Sequence, residues 1–163
     1  MEKCPCASGL GYAACCRPFH RREREALDAV ALMRSRFAGF AKKESSYLVA
    51  TLHPDHEDKK QLSEAQILAS IRDTSRDFRY LDLAILDRSD FDATGTARVL
   101  FFAKVFSQGK DFSFVELSEF RRDGDAIRYV RGDAKPMRGE HERARALNFG
   151  TWASMTSGSA TPT

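Results

Sequence analysis

All four cysteines of this chain fall within its first sixteen residues, at Cys4, Cys6, Cys15 and Cys16. Two close pairs flank the loop Ala7-Ser8-Gly9-Leu10-Gly11-Tyr12-Ala13-Ala14, a spacing that brings four thiolates onto one ion. Zn²⁺ favours sulfur and takes four tetrahedral ligands, and a site closed by four cysteines is structural rather than catalytic. Pro5 stiffens the first arm and Ser8-Gly9 supplies a turn. Ala13 and Ala14 favour a helical turn carrying the second pair. Two alternatives stay open. Disulfides are one, but no secretory segment precedes the cysteines, so the expected compartment is reducing, the cytoplasm. Clustered cysteines there bind metal more often than one another. The other is a Cys₃His set in which His20 replaces Cys16, which zinc also accepts.

With 163 residues, the chain can hold one domain with its own core and a small appendage. A composition 42% hydrophobic and 30% charged is that of a soluble globular protein. No apolar run approaches the roughly 20 residues of a membrane helix. The net charge of +3 does not by itself argue for nucleic-acid binding. Lys3, Arg17, Arg21, Arg22 and Arg24 surround the cysteines, against Glu2 and Glu23. Four thiolates on Zn²⁺ leave a formal charge of about −2, which part of that cluster would neutralise. The rest offers a basic patch to an acidic partner.

After a charged connector at 21–25, Leu27, Val30, Met33, Phe37 and Phe40 mark one amphipathic helix over 26–41. Residues 47–52 form one further helical turn or two, stopped by His53-Pro54. Residues 54–62 are charged and expected to be exposed. Ser63 with Gln66 reads as a capping box opening a helix that ends near Arg76. The period then changes. Leu81, Leu83 and Ile85 alternate as on a half-buried strand. Thr96–Ser107 is strongly β-prone, with apolar residues on both faces, so it should be a central strand covered on both sides. Gln108-Gly109-Lys110 and Asp123-Gly124-Asp125 read as hairpin turns around strands at 111–121 and 126–131. Helices followed by a four-stranded antiparallel meander make an α+β fold. Residues 134–163 read as a partly disordered tail, with Phe149 and Trp152 able to dock on the body.

Cys4-Pro5-Cys6-Ala7-Ser8-Gly9, then Tyr12, then Cys15-Cys16, resembles the SEC-C motif, the zinc-binding element at the C-terminus of the SecA preprotein translocase. Ala7 stands where that motif usually has glycine, a departure that tightens the loop but removes no ligand. The resemblance implies Cys4, Cys6, Cys15 and Cys16 as the zinc ligands. Ala31-Leu32-Met33-Arg34-Ser35-Arg36-Phe37, Tyr47-Leu48 and Thr51-Leu52-His53-Pro54 are similar to the YchJ (UPF0225) family. So are Glu116-Leu117-Ser118-Glu119-Phe120 and Tyr129-Val130-Arg131-Gly132. That family places an N-terminal SEC-C motif before an NTF2-like domain, and some members carry a second such motif, for which this sequence has no cysteines after Cys16. The resemblance therefore implies a SEC-C motif over 1–20 and an NTF2-like (cystatin-like) cone over 25–133, helices packed on a curved antiparallel sheet. The family has no established activity.

Such cones often hold a pocket between sheet and helices. Arg34 lies at the margin of the apolar helix stripe, Glu116 and Ser118 share a strand face with Phe114 and Phe120, and His53 sits at a helix stop. These four are the pocket candidates, with Arg34 the expected partner for a buried Glu116. No nucleophile–base–acid pattern, phosphate loop or dinucleotide motif is visible, so the reading leans away from an enzyme. Two functions compete. One is a zinc-binding adaptor, because the resemblance to the translocase element implies a protein partner, an acidic chaperone or the ribosome. The alternative is an NTF2-like small-molecule binder or enzyme using the cone.

Overall fold

The structure is a computed structural model, and it describes residues 1–157. The cysteine-bearing N-terminus ends in a short helix, α1 (Arg17–His20). The long helix α2 (Ala29–Ala41) follows. Its start is set by Asp28, whose extended backbone places the carboxylate to accept from Ala31 N at 2.8 Å. The helix expected from residue 26 therefore begins three residues later, and Leu27 is left outside it, 89% exposed. Helix α3 (Ser45–Ala50) leads to an extended stretch that bridges to the sheet at Tyr129 before Pro54. The charged segment holds a short exposed helix, α4 (Glu57–Gln61). Helix α5 (Glu64–Asp77) carries the expected capping box, both reciprocal hydrogen bonds being present between Ser63 and Gln66.

The strands are β1 (Arg79–Arg88), β2 (Thr96–Ser107), β3 (Lys110–Asp111), β4 (Phe114–Asp123) and β5 (Ala126–Pro136). They form an antiparallel sheet in the order β1-β2-β4-β5, with the two-residue β3 pairing β2. Gln108 and Gly109 both take positive φ, 51° and 76°, which is the backbone a two-residue hairpin needs. Register shifts at Leu81 and Leu86 interrupt β1, so Leu81 does not share the buried face of Leu83 and is 50% exposed.

Both faces of β2 are covered, as its composition demands. Val99, Phe101, Ala103 and Val105 pack with Leu32, Met33 and Phe37 of α2. Leu100 and Phe102 face the other way, against Met137, Ala144 and Trp152. That second cover corrects the expectation of a loose tail after residue 133. Strand β5 runs on to Pro136, and Met137 N donates to Ser113 O at 2.8 Å. Helices α6 (His141–Arg145) and α7 (Phe149–Ser157) then fold back over the sheet, leaving Trp152 3% exposed. Polar ties hold them there: Arg145 to Asp82 at 2.6 Å, His141 to Asp111 at 2.7 Å, and Phe149 N to Asp87 at 2.9 Å. The charged composition of 135–145 hid this role, because two of its charged residues, His141 and Arg145, pair with strand carboxylates rather than facing water alone. Residues 158–163 of the expected tail lie outside the described residues.

Candidate metal centre and cone cavity

The chain from Glu2 to Tyr12 folds back on itself, with Cys4 N donating to Leu10 O at 2.8 Å and Tyr12 N to Glu2 O at 2.9 Å. This turn sets the first cysteine pair against the second. The four Sγ atoms lie within 4.8 Å of one another, with Cys6 to Cys15 at 3.5 Å and Cys15 to Cys16 at 3.9 Å. Zn–S bonds of about 2.3 Å at tetrahedral angles put sulfurs about 3.8 Å apart. The donor set thus fits a tetrahedral metal ion. The electrostatics agree. Hydrogen bonding from Cys16 holds the Cys6 thiol down at about 4, while burial pushes Cys4 up to about 11. Sharing its proton with Cys6, and then burial, pushes Cys16 well above the ordinary thiol range. Thiolates are the ligand form of cysteine, so a bound cation would favour loss of the protons that Cys4 and Cys16 hold.

His20 is not a ligand. Its Nε2–H donates to Ser35 O at 2.8 Å, and its Nδ1 accepts from the Tyr12 hydroxyl at 2.7 Å. Both ring nitrogens are thus used in bracing the cysteine turn against α2, and burial lowers the histidine's proton affinity. Arg34 also serves this seam. Its Nη1 donates to Cys6 O at 2.6 Å, so the expected Arg34–Glu116 pair does not form. A helix turns about 100° per residue, and one step past Met33 carries Arg34 off the sheet-facing stripe toward the cysteines. Lys42 completes the seam, pairing with Glu2 at 2.6 Å and lying 4.6 Å over the Tyr12 ring.

Ala7 has φ of 62°, a left-handed conformation that explains why glycine is usual there. A non-glycine residue held so carries roughly 1–2 kcal/mol of strain, part of which glycine returns as unfolded-state entropy. Ala7→Gly should therefore stabilise the turn by up to about 1 kcal/mol. Slower loss of metal to a chelator is the expected readout, and unchanged or faster loss would show that Ala7 is not strained.

The cone contains a cavity of about 180 Å³ between α2 and the sheet. Met33, Phe37 and Phe40 of α2 form one wall, and Tyr80, Phe101 and Phe114 of the strands form the other. Its polar end is Arg36, Glu116 and Tyr129. Glu116 was expected here and is here, with its Oε2 accepting from the Ser118 and Tyr129 hydroxyls. Ser118 is fully buried beneath it. His53 is elsewhere: its Nδ1 accepts from Asp55 N at 2.9 Å and its Nε2 faces Arg122 O at 3.4 Å. The arginine that sequence reasoning missed is Arg36, 6% exposed, donating to Leu48 O at 2.8 Å and Thr51 Oγ1 at 2.5 Å. Its guanidinium lies 4.8 Å from the Tyr129 ring centre. The signal was present in the spacing. Arg36 is three residues past Met33 and four before Phe40, inside the stripe rather than at its margin.

Burial pushes the Glu116 carboxyl above its ordinary value, against hydrogen bonds from Ser118 and Tyr129 and the field of Arg36. A raised folded value means that stability is fully present below the unfolded pKa of about 4.3 and is lost as pH rises through the folded one. Glu116→Gln does not titrate and keeps an acceptor for Ser118 and Tyr129. Its unfolding free energy should match the parent below about pH 4 and exceed it at neutral pH. A variant less stable than the parent at pH 7 would show that Glu116 is ionised and holds Arg36 by charge.

The family profile described as YchJ, middle NTF2-like domain matches residues 28–132, the helices and sheet that enclose this cavity. The chain belongs to the YchJ family. It is 36% identical over 107 residues to a UPF0225 protein of Pectobacterium carotovorum, covering 66% of this chain and 65% of that one. To a UPF0225 protein of Deinococcus radiodurans it is 56% identical over 55 residues, 34% of this chain and 42% of that one. To UPF0225 protein YchJ of Shigella dysenteriae it is 30% identical over 141 residues, 86% and 88% of the two chains. The chain thus spans less than two thirds of the first two relatives and most of the third. Among solved structures it is similar to a SEC-C motif containing protein from Rhodopseudomonas palustris, with a TM-score of 0.69 and 31% identity over 81% of this chain and 98% of that one. A SEC-C motif containing protein from Psychrobacter arcticus shares the fold at a TM-score of 0.68 and 21% identity, over 80% and 81% of the chains. This YchJ-family chain therefore joins a SEC-C motif to an NTF2-like domain, and its four cysteines form a cluster suited to a metal.

Proposed function

We propose that this YchJ-family protein is a zinc-binding adaptor that holds one Zn²⁺ on Cys4, Cys6, Cys15 and Cys16 and uses the zinc turn to contact an acidic partner, a protein or the ribosome. The observation that carries the reading is the state of the charges around the turn. Lys3, Arg17, Arg21, Arg22 and Arg24 make no ion pair among the described residues. The tip between the cysteine pairs is open to solvent and ends in Leu10, 55% exposed. Basic residues that flank the turn in sequence, together with an exposed apolar tip, suit an acidic surface with an apolar spot. With all four ligands supplied by the protein, the metal braces this surface rather than performing chemistry. Unoxidised cysteines fit a reducing compartment, and the cytoplasm is the proposed location. No helix among the described residues is long and apolar enough to cross a membrane.

The side chains of Lys3, Arg17 and Arg21 make no hydrogen bond or ion pair among the described residues, so reversing them tests the surface alone. Metal-loaded protein, immobilised in cell lysate, should retain an acidic protein or ribosomes at low salt and release them as ionic strength rises. The Lys3→Glu, Arg17→Glu, Arg21→Glu triple variant should lose that partner while keeping its metal. An identical set of bound proteins on parent and variant would overturn the reading.

A further inference from the structure

The cone cavity has no part in the adaptor reading, and its chemistry is incompletely used. Arg36 spends Nη1 on Leu48 O and Thr51 Oγ1, while its Nε and Nη2 make no hydrogen bond among the described residues. Glu116 receives both of its hydrogen bonds on Oε2, leaving Oε1 without a partner among the described residues. No carboxylate among the described residues stands within ion-pair distance of Arg36, although the residue is almost wholly buried. A buried guanidinium without a close anion is costly. Protein interiors also hold few voids larger than a water molecule, and an apolar cavity near 150 Å³ suffices to take a benzene ring.

We propose that this cavity is a binding site for a small monocarboxylate with a body about the size of one aromatic ring, its carboxylate received by Arg36 and Glu116. The body would lie between Met33, Phe37, Phe101 and Phe114, and the head would supply the anion that Arg36 lacks. The free edge of the guanidinium presents donors at the spacing a carboxylate accepts. Glu116 contributes in its protonated form. With Oε2 occupied as an acceptor, the proton sits on Oε1 and adds a third donor. Burial favours that protonated form. Other charged or titratable groups stand further back: Asp133 acts on Glu116 at a distance, and His56 lies against Tyr129 at 5.7 Å between ring centres. At about 180 Å³ the cavity is below the 300–1,000 Å³ of sites for drug-sized ligands, so a fragment-sized ligand is the fit.

The test is a titration of the intact, metal-loaded chain with benzoate and, separately, with benzamide, which has the same shape and no charge. Benzoate should bind with a Kd on the order of 1 mM or tighter and shift amide resonances of Phe37, Phe101 and Tyr129. Benzamide should bind at least about tenfold more weakly, the difference of one lost charged contact. Arg36→Met should weaken benzoate by a similar factor. Because Arg36 also ties α2 to α3, Phe114→Trp provides a second variant, filling the half-buried wall of the cavity and leaving the polar end intact. It too should lose benzoate. No saturable shift at the cavity residues, benzamide binding within tenfold of benzoate, or undiminished binding to Phe114→Trp would each overturn the assignment.

Discussion

Removing the proposed zinc from the intact chain should release residues 3–16 while the sheet stays folded. Structural zinc contributes on the order of 10 kcal/mol in small peptides, and that energy goes into the segment that holds the ligands. Here the segment's own apolar contacts are few: Cys4, Cys6, Tyr12 and Cys16 pack with one helical residue, Ala38. The body has a separate core from Leu32 to Ile127 and another beneath Trp152. The border of the released segment falls before Phe19, which belongs to the main core, and so is nearer the N-terminus than the limit of residue 20 drawn from sequence. The loss should still be felt in α2. Hydrogen bonds from Arg34 to Cys6 O and from the Tyr12 hydroxyl to His20 Nδ1 cross the seam, each worth roughly 1–3 kcal/mol. At about 2–4 °C per kcal/mol for a domain of this size, the body should melt several degrees lower. Hydrogen exchange is the direct measurement. The amides of Cys4, Tyr12 and Cys15 should lose protection on chelation, and those of Val99–Val105 should keep theirs. Cooperative unfolding of the whole chain would show that turn and cone are one thermodynamic unit.

The legible parts of this protein were those encoded by a strong local period or a dense motif. The cysteine spacing pointed to the four-sulfur cluster that the structure forms, and the Ser63–Gln66 box to the start of α5. The two-sided apolar pattern of β2 required two covering layers. Of the second layer only Phe149 and Trp152 were legible, which do dock there, and not the helices that carry them. Residues 137–157 carry short helices whose apolar side chains are spread among charged and small ones, and contact with Leu100 and Phe102 is what buries Trp152. The polar end of the cavity shows a different failure. Glu116 was legible from strand alternation, which has a period of two and tolerates no ambiguity. The arginine was misassigned by two positions, although helical rotation puts Arg36 inside the stripe and Arg34 at its margin. The sequence also could not show that Arg34 has a task of its own, since Cys6 O comes to it from 28 residues away.

Gly132→Ala should cost about 2–4 kcal/mol of stability, although it adds one methyl to a strand where alanine is ordinarily preferred. Gly132 lies opposite Ser118 on the edge strand β5, with no positive φ to require glycine. Its need is space. A Cβ there would collide with the Glu116 carboxyl and come within 2.6 Å of the Tyr129 hydroxyl. Glu116 cannot easily yield. Its carboxylate end is fixed by Ser118 and Tyr129, and moving it would leave buried polar atoms unpartnered. Tyr129 cannot easily yield either, because Arg36 lies across its ring and its backbone bonds to Thr51 and His53. Thus the glycine that closes Tyr129-Val130-Arg131-Gly132 makes room for a buried acid thirteen residues upstream of the tyrosine. A double-mutant cycle separates this account from a general intolerance of the strand. In a Glu116→Ala, Tyr129→Phe background the obstructing atoms are gone, and Gly132→Ala should become neutral or stabilising by up to about 1 kcal/mol. The measurement is equilibrium unfolding of the four chains in urea. An equal loss in both backgrounds would mean that Gly132 is required for the backbone of β5 itself, and that the floor of the cavity is not built around its missing side chain.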